Sequence, residues 1–210
     1  MSEVEPQAAP PARSASATVQ AIADPAPLGL AAFAMTTVVL SCFNANFLDK
    51  STEGVVLPLA LAYGGLTQLL AGMWEFRRGN TFGATAFSSF GAFWLAYYFL
   101  AKDIAPTLAT ASDANKAVGL FLLVWAIFTA YMTVAAVRVN LAVLAVFVAL
   151  TVTFAVLAAG EFAKSPDVTK AGGWLGLVTA AFAWYASFAG VAASTFGRPV
   201  VPTWPSGPTT

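Results

Sequence analysis

Six apolar runs, separated by short polar segments, constrain this chain more than any other feature. The hydrocarbon core of a bilayer takes about 20 residues of helix to cross. The runs cover about Leu28 to Phe47, Gly54 to Trp74, Phe82 to Leu100, Ala117 to Ala136, Leu141 to Gly160 and Ala171 to Phe196. All ten Lys+Arg and all ten Asp+Glu lie outside these runs or at their ends. Strands of a transmembrane barrel would alternate apolar and polar residues. The stretch VLAVFVALTVTFAVLA, from Val143 to Ala158, does not alternate. The expected fold is an all-α membrane protein, a bundle of six transmembrane helices.

Composition narrows the function. Charged residues make up 10% of the chain and apolar ones 59%. A soluble domain carries about 25% charged residues, so a soluble exterior is excluded. The net charge is zero, which leaves no basic field for nucleic acid. The single cysteine, Cys42, permits no internal disulfide and no cysteine metal cluster. There is no histidine, which removes imidazole ligation, a Ser-His-Asp triad and a histidine proton relay. No catalytic residues, metal ligands or cofactor are expected. A pore or permease remains.

Residues 1–23 read as a disordered Ala/Pro/Ser-rich tail, residues 24–197 as the transporter domain, and residues 198–210 as a proline-rich C-terminal tail. Six spans place both ends of the chain on one side. That side carries Arg13, Arg77, Arg78, Arg138 and Arg198, and the other carries Lys50, Lys102, Lys116, Lys164 and Lys170. The positive-inside count is therefore a tie. The arginines sit in the tightest loops and most acids sit opposite, so both termini are expected in the cytoplasm and the protein in the cytoplasmic membrane.

Polar residues inside the runs are hydroxyls and amides rather than charges. Thr37 and Asn44 share a stripe of the first span with Phe33 and Leu40. Thr85 and Ser88 lie in the third span and Thr151 in the fifth. Two readings stand: hydrogen bonds between helices, or a mildly polar path for a small solute. Glu75 ends the second span beside Arg77 and Arg78. It reads as an ion pair, as a solvated helix end, or as a group that couples transport to protons. The segment Asp24, Pro25, Ala26, Pro27, Leu28, Gly29, Leu30 reads as a capped helix start, or as a pore mouth where helix N–H groups draw an anion.

DPAPLGLAAFAMTT (24–37), AYGGLTQLLAGMWEFRRGNTFGATAFSSFGAFW (62–94) and FGRPVVP (196–202) resemble the acetate uptake transporter family, whose bacterial members are called succinate–acetate permeases or YaaH-like proteins. The resemblance runs from Asp24 to Pro202 and leaves the preceding tail out. It implies a six-helix protomer in a homo-hexamer, each protomer with its own path for acetate and, in some members, succinate. It also implies a narrow constriction of Phe, Tyr and Leu, which falls here on Phe33, Phe90 and Leu150. Phe90 departs from the pattern, since the phenol hydroxyl is absent. Asp24 departs too, since the family usually shows asparagine there. An ionised Asp24 would repel an entering anion unless it points away from the path or its charge is offset. The family's helix-end Glu falls on Glu75 and its late first-helix Asn on Asn44.

The expected function is passage of acetate and other small carboxylates across the membrane, channel-like or proton-coupled, with lipid and further copies of the chain as the other partners. A pore for a small neutral solute (urea, an amide, an undissociated acid) is the alternative. A membrane scaffold without transport is a third reading, and the tail and loops show no docking motif for it.

Overall fold

In the computed structural model, residues 22–205 are described. Most of the expected N-terminal tail, and residues 206–210, lie outside them. Six helices are long and apolar enough to cross a membrane: α1 (Ala26–Asn44), α2 (Lys50–Arg78), α3 (Thr81–Leu108), α4 (Ala114–Ala136), α5 (Leu141–Ala163) and α6 (Pro166–Phe196). The chain is a multi-pass membrane protein.

Local chemistry sets the helix ends. Asn80, Asn140 and Ser165 each place a side-chain oxygen on an N–H of the first turn of α3, α5 and α6. Gly79 and Gly197 end α2 and α6 in the left-handed conformation, at φ of 77° and 66°. That conformation is open to glycine at little steric cost. Asp49 accepts from the Ser51 N–H at the start of α2, which holds its carboxyl below the ordinary carboxylate pKa.

Two spans extend further than their hydropathy indicates. By hydropathy the third run stops at Leu100, yet α3 continues to Leu108 through a π-helical turn at Leu100–Ile104. Pro106 falls in the first turn of the short helix that follows, where its missing N–H costs least. Likewise α6 begins at Pro166 rather than near Ala171, with Ser165 as its cap. A second π-helical turn lies inside α2 at Ala62–Thr67, where the Thr67 hydroxyl donates to the Ala62 carbonyl.

Neighbouring helices close a ring. α1 packs on α6, α6 on α5, α5 on α4 and α2 on α3, with α2 also against α1 and a lighter contact between α3 and α4. Small residues permit the closest approaches. A Cβ on Gly91 would lie 2.6 Å from the Leu69 backbone nitrogen, so only glycine lets α2 and α3 meet there. The outer faces are apolar and exposed, as lipid allows: on α4, Ile127 and Val134 are 59% and 74% exposed. After α6 the chain folds back over the N-terminus of α5. Leu141 and Ala142 donate their N–H groups to the carbonyls of Trp204 and Thr203, and the Tyr185 hydroxyl donates to the Pro202 carbonyl at 2.6 Å. The expected C-terminal tail is thus, as far as residue 205, a strap that supplies acceptors to helix N–H groups which would otherwise lack them.

Candidate functional site

α1, α3 and α5 all run from the side of the chain ends to the lysine side. Their inward faces meet along one axis. Thr37, Phe93, Trp94, Tyr97, Leu150 and Phe154 surround a cavity of about 290 Å³ that opens toward the lysine side. Its rim continues into an outer cavity of about 390 Å³, edged by Asn46, Lys164 and Lys170. Asn44, Lys50, Glu161 and Thr169 line both. Together they form a vestibule.

Phe33 and Leu150 close its inner end. Both line the vestibule and also a void of about 20 Å³ on the far side. Phe90 lines that void and touches Phe33, with ring centroids 5.8 Å apart. The structure therefore brings Phe33, Phe90 and Leu150 together, 4%, 3% and 4% exposed. Trp125, Phe128 and Phe147 pack around the Phe90 ring at 5.5 to 6.1 Å.

The polar candidates divide. Thr37 is buried above Phe33, and its Oγ1 has no hydrogen-bond partner, so it can bond a passing solute. Asn44 stands where the inner and outer cavities join. Thr151 instead bonds Thr133 across α4 and α5, at 3.0 Å. Ser88 is packed beside Gly72, between α2 and α3. Neither it nor Thr85 lines the vestibule or the void. Sequence reasoning leaves Trp94 out and marks Gln68 only as an amide inside the apolar second span. The Trp94 indole Nε1 is buried without a partner beside the vestibule, and the Gln68 Oε1 is buried without a partner at the void. Spacing gives a partial signal: Phe90, Phe93, Trp94 and Tyr97 recur at helical intervals on α3. Nothing in the sequence marks Gln68 as facing inward.

Charge is organised by depth. At the vestibule Glu161 accepts from Asn115 Nδ2 at 2.8 Å and Glu53 from the Tyr97 hydroxyl at 3.4 Å, while Asp167 edges the outer cavity with Lys164 and Lys170. Among the described residues, the ion pairs are Arg78–Asp24, Arg78–Glu75 and Lys116–Asp113. Lys50, Lys164 and Lys170 thus stand at the rim outside any ion pair. Asp24 accepts from the Ala26 N–H at the start of α1 and pairs with Arg78, which offsets its charge. It lies in a groove against Tyr63 and Ser187, away from the vestibule. Pro27 anchors that end, its carbonyl accepting from Ser187 Oγ at 2.7 Å. Glu75 is fully buried and has no hydrogen-bond partner; Arg78 Nη1 stands 3.9 Å away. It lines neither the vestibule nor the void.

Residues 6–205 match the family model described as the GPR1/FUN34/yaaH family. The chain belongs to that family. The match reaches into the N-terminal segment, which the resemblance read from sequence had left out. The structure is similar to that of "the bacterial acetate channel SatP", with a TM-score of 0.79 at 37% identity over 87% of this chain and 99% of that one. The chain is 38% identical over 182 residues to the succinate-acetate/proton symporter SatP of Escherichia coli, covering 86% of this chain and 95% of that one. It is 44% identical over 184 residues to ammonia transport outward protein 2 of Saccharomyces cerevisiae. That match covers 85% of this chain and 64% of the yeast protein, so the chain spans about two thirds of that relative's length.

Proposed function

We propose that this protein passes acetate and related small carboxylates, succinate among them, across the cytoplasmic membrane. The observation that carries this reading is the vestibule, rimmed by unpaired lysines and floored by Phe33 and Leu150, in a family member sharing the fold of an acetate channel. The three rim lysines offset Glu53, Glu161 and Asp167, so an anion can enter a mouth that would otherwise repel it. Inside, the Thr37 hydroxyl and the Trp94 indole N–H offer hydrogen bonds in exchange for water. The floor then admits only a solute that can shed its remaining shell and present an apolar end. Nothing in this sequence of events needs catalysis, so the protein is a transporter rather than an enzyme. Its working unit is a homo-hexamer with one path per protomer, and its termini face the cytoplasm.

The path carries no titratable side chain at its narrowest point. Any proton that accompanies the acid crosses that point on the acid itself, so channel-like flow and apparent symport differ only in which form of the acid crosses. The test is purified protein in liposomes, with labelled acetate uptake, current and internal pH read together. Acetate uptake above protein-free vesicles, competed by other small carboxylates, is the expected result. Uptake absent from intact hexamers would refute the reading. The name of the yeast relative favours a second reading, a path for ammonia, and ammonia flux that acetate does not compete for would establish it.

A further inference from the structure

The geometry points to a second selectivity layer in the path, Leu30–Phe87–Phe147, one helical turn beyond the Phe33–Phe90–Leu150 ring. Each residue precedes its counterpart by three positions, on α1, α3 and α5 respectively. The three helices run the same way, so a three-residue step moves all three side chains toward the chain-end side by about 4.5 Å and keeps them on the inward face. All six residues line the same void of about 20 Å³. Leu30, Phe87 and Phe147 are 8%, 8% and 5% exposed, as deeply set as a packed core. Phe147 touches Phe90 at 6.0 Å and Phe82 at 5.2 Å between centroids, so it braces both layers.

The void between the layers has room for about one water molecule, and Gln68 alone offers it a hydrogen bond, fewer than an ordered water needs. Gln68 is the one polar side chain against it. A solute that clears Phe33 and Leu150 therefore meets a second apolar barrier before it can rehydrate. Two such barriers in series select by size more sharply than one, because a solute must fit at both. Gly29 is part of the device. A Cβ there would lie 2.6 Å from the Phe87 ring, so glycine is what lets Phe87 seat against α1.

This inference rests on the reading of the path as a carboxylate conduit, and the experiment separates the two. Initial uptake of labelled acetate, propionate and butyrate is measured for the intact protein in liposomes and for Leu150→Ala, Phe147→Ala, Phe87→Leu and the Leu150→Ala/Phe147→Ala double variant. Val134→Ala, on the outer face of α4 and away from the path, is the control, and size-exclusion profiles report assembly. Phe147→Leu keeps most of the volume and serves if the alanine variant fails to assemble. The butyrate-to-acetate ratio should rise about threefold in each single alanine variant and by more than the product of the two in the double variant. Phe87→Leu should raise it less. An unchanged ratio in assembled Phe147 and Phe87 variants, with Leu150→Ala altered, would overturn the second layer while leaving the transport reading intact. Absence of acetate uptake by the unmodified protein would overturn both.

Discussion

The two halves of the path are lined by the same three helices, yet they have opposite chemistry. On the lysine side the helices splay around a vestibule of about 290 Å³, with hydroxyl, amide and indole groups in its wall and lysines at its rim. On the chain-end side they converge on Leu30, Phe33, Phe87, Phe90, Phe147 and Leu150, around a void of about 20 Å³. Of the charges on that side, Asp24 is clamped to Arg78 and Glu75 is sealed away. The difference assigns labour. A wet, charged half can gather anions but cannot sort them by size, since water and mobile side chains adapt to any guest. A dry, close-packed half can sort by size, because overfilling it forces rotamers and backbone apart.

Substitutions that blur this contrast should have the largest effects. Leu150→Ala removes the floor that the two halves share. Acetate uptake in liposomes should rise roughly tenfold, and uptake of longer acids by more. The same change should destabilise the fold by about 2 kcal/mol, the low end for a buried leucine, because its side chain already borders open space. A thermal or denaturant midpoint would show this.

Gly29→Ala acts on the narrow half from outside. The added methyl pushes the Phe87 ring toward the void, so acetate uptake should fall about fivefold while assembly is kept. Unchanged uptake would show that Phe87 yields in some other direction. On the wide half, replacing Lys50, Lys164 and Lys170 together with Gln should lower initial acetate uptake by about threefold at low salt and hardly at all at 0.5 M salt. A loss that persists at high salt would mean direct ligation rather than steering.

The smallest effects belong to the clamped and sealed acids, Asp24 and Glu75, which lie off the path. Glu75→Gln should leave the acetate rate, and its dependence on pH, within about twofold of the unmodified protein, since the side chain lines neither half. Loss of proton movement in that variant would place Glu75 in the path after all. Asp24→Asn should change stability by less than about 1 kcal/mol, because the pair with Arg78 is solvent-accessible and Asn caps a helix nearly as well.

The six spans and the peripheral placement of charge were legible in the sequence, because the bilayer makes every apolar run of sufficient length a helix and penalises charge within it. Helix ends were less legible. α3 continues through KDIAP because a π-helical turn absorbs the proline, and no hydropathy profile contains that adjustment. Phe33, Phe90 and Leu150 were named by resemblance rather than by spacing. Their meeting depends on three helices that are distant in the chain.

By itself, the sequence determined that this chain crosses a membrane six times, that its interior holds no imidazole, and that its arginines and lysines divide between opposite faces. Those properties follow from composition and order along the chain, which local solvation reads directly. Only the tertiary structure decided which hydroxyls face the path and which bond a neighbouring helix. It also decided that Glu75 is sealed off and that three residues one turn from the ring share its void. Those are questions of helix rotation and neighbourhood. In a bundle whose helices are mostly apolar on every side, the α1 stripe of Phe33, Thr37, Leu40 and Asn44 records part of the answer, and close packing of glycines, aromatics and threonines settles the rest.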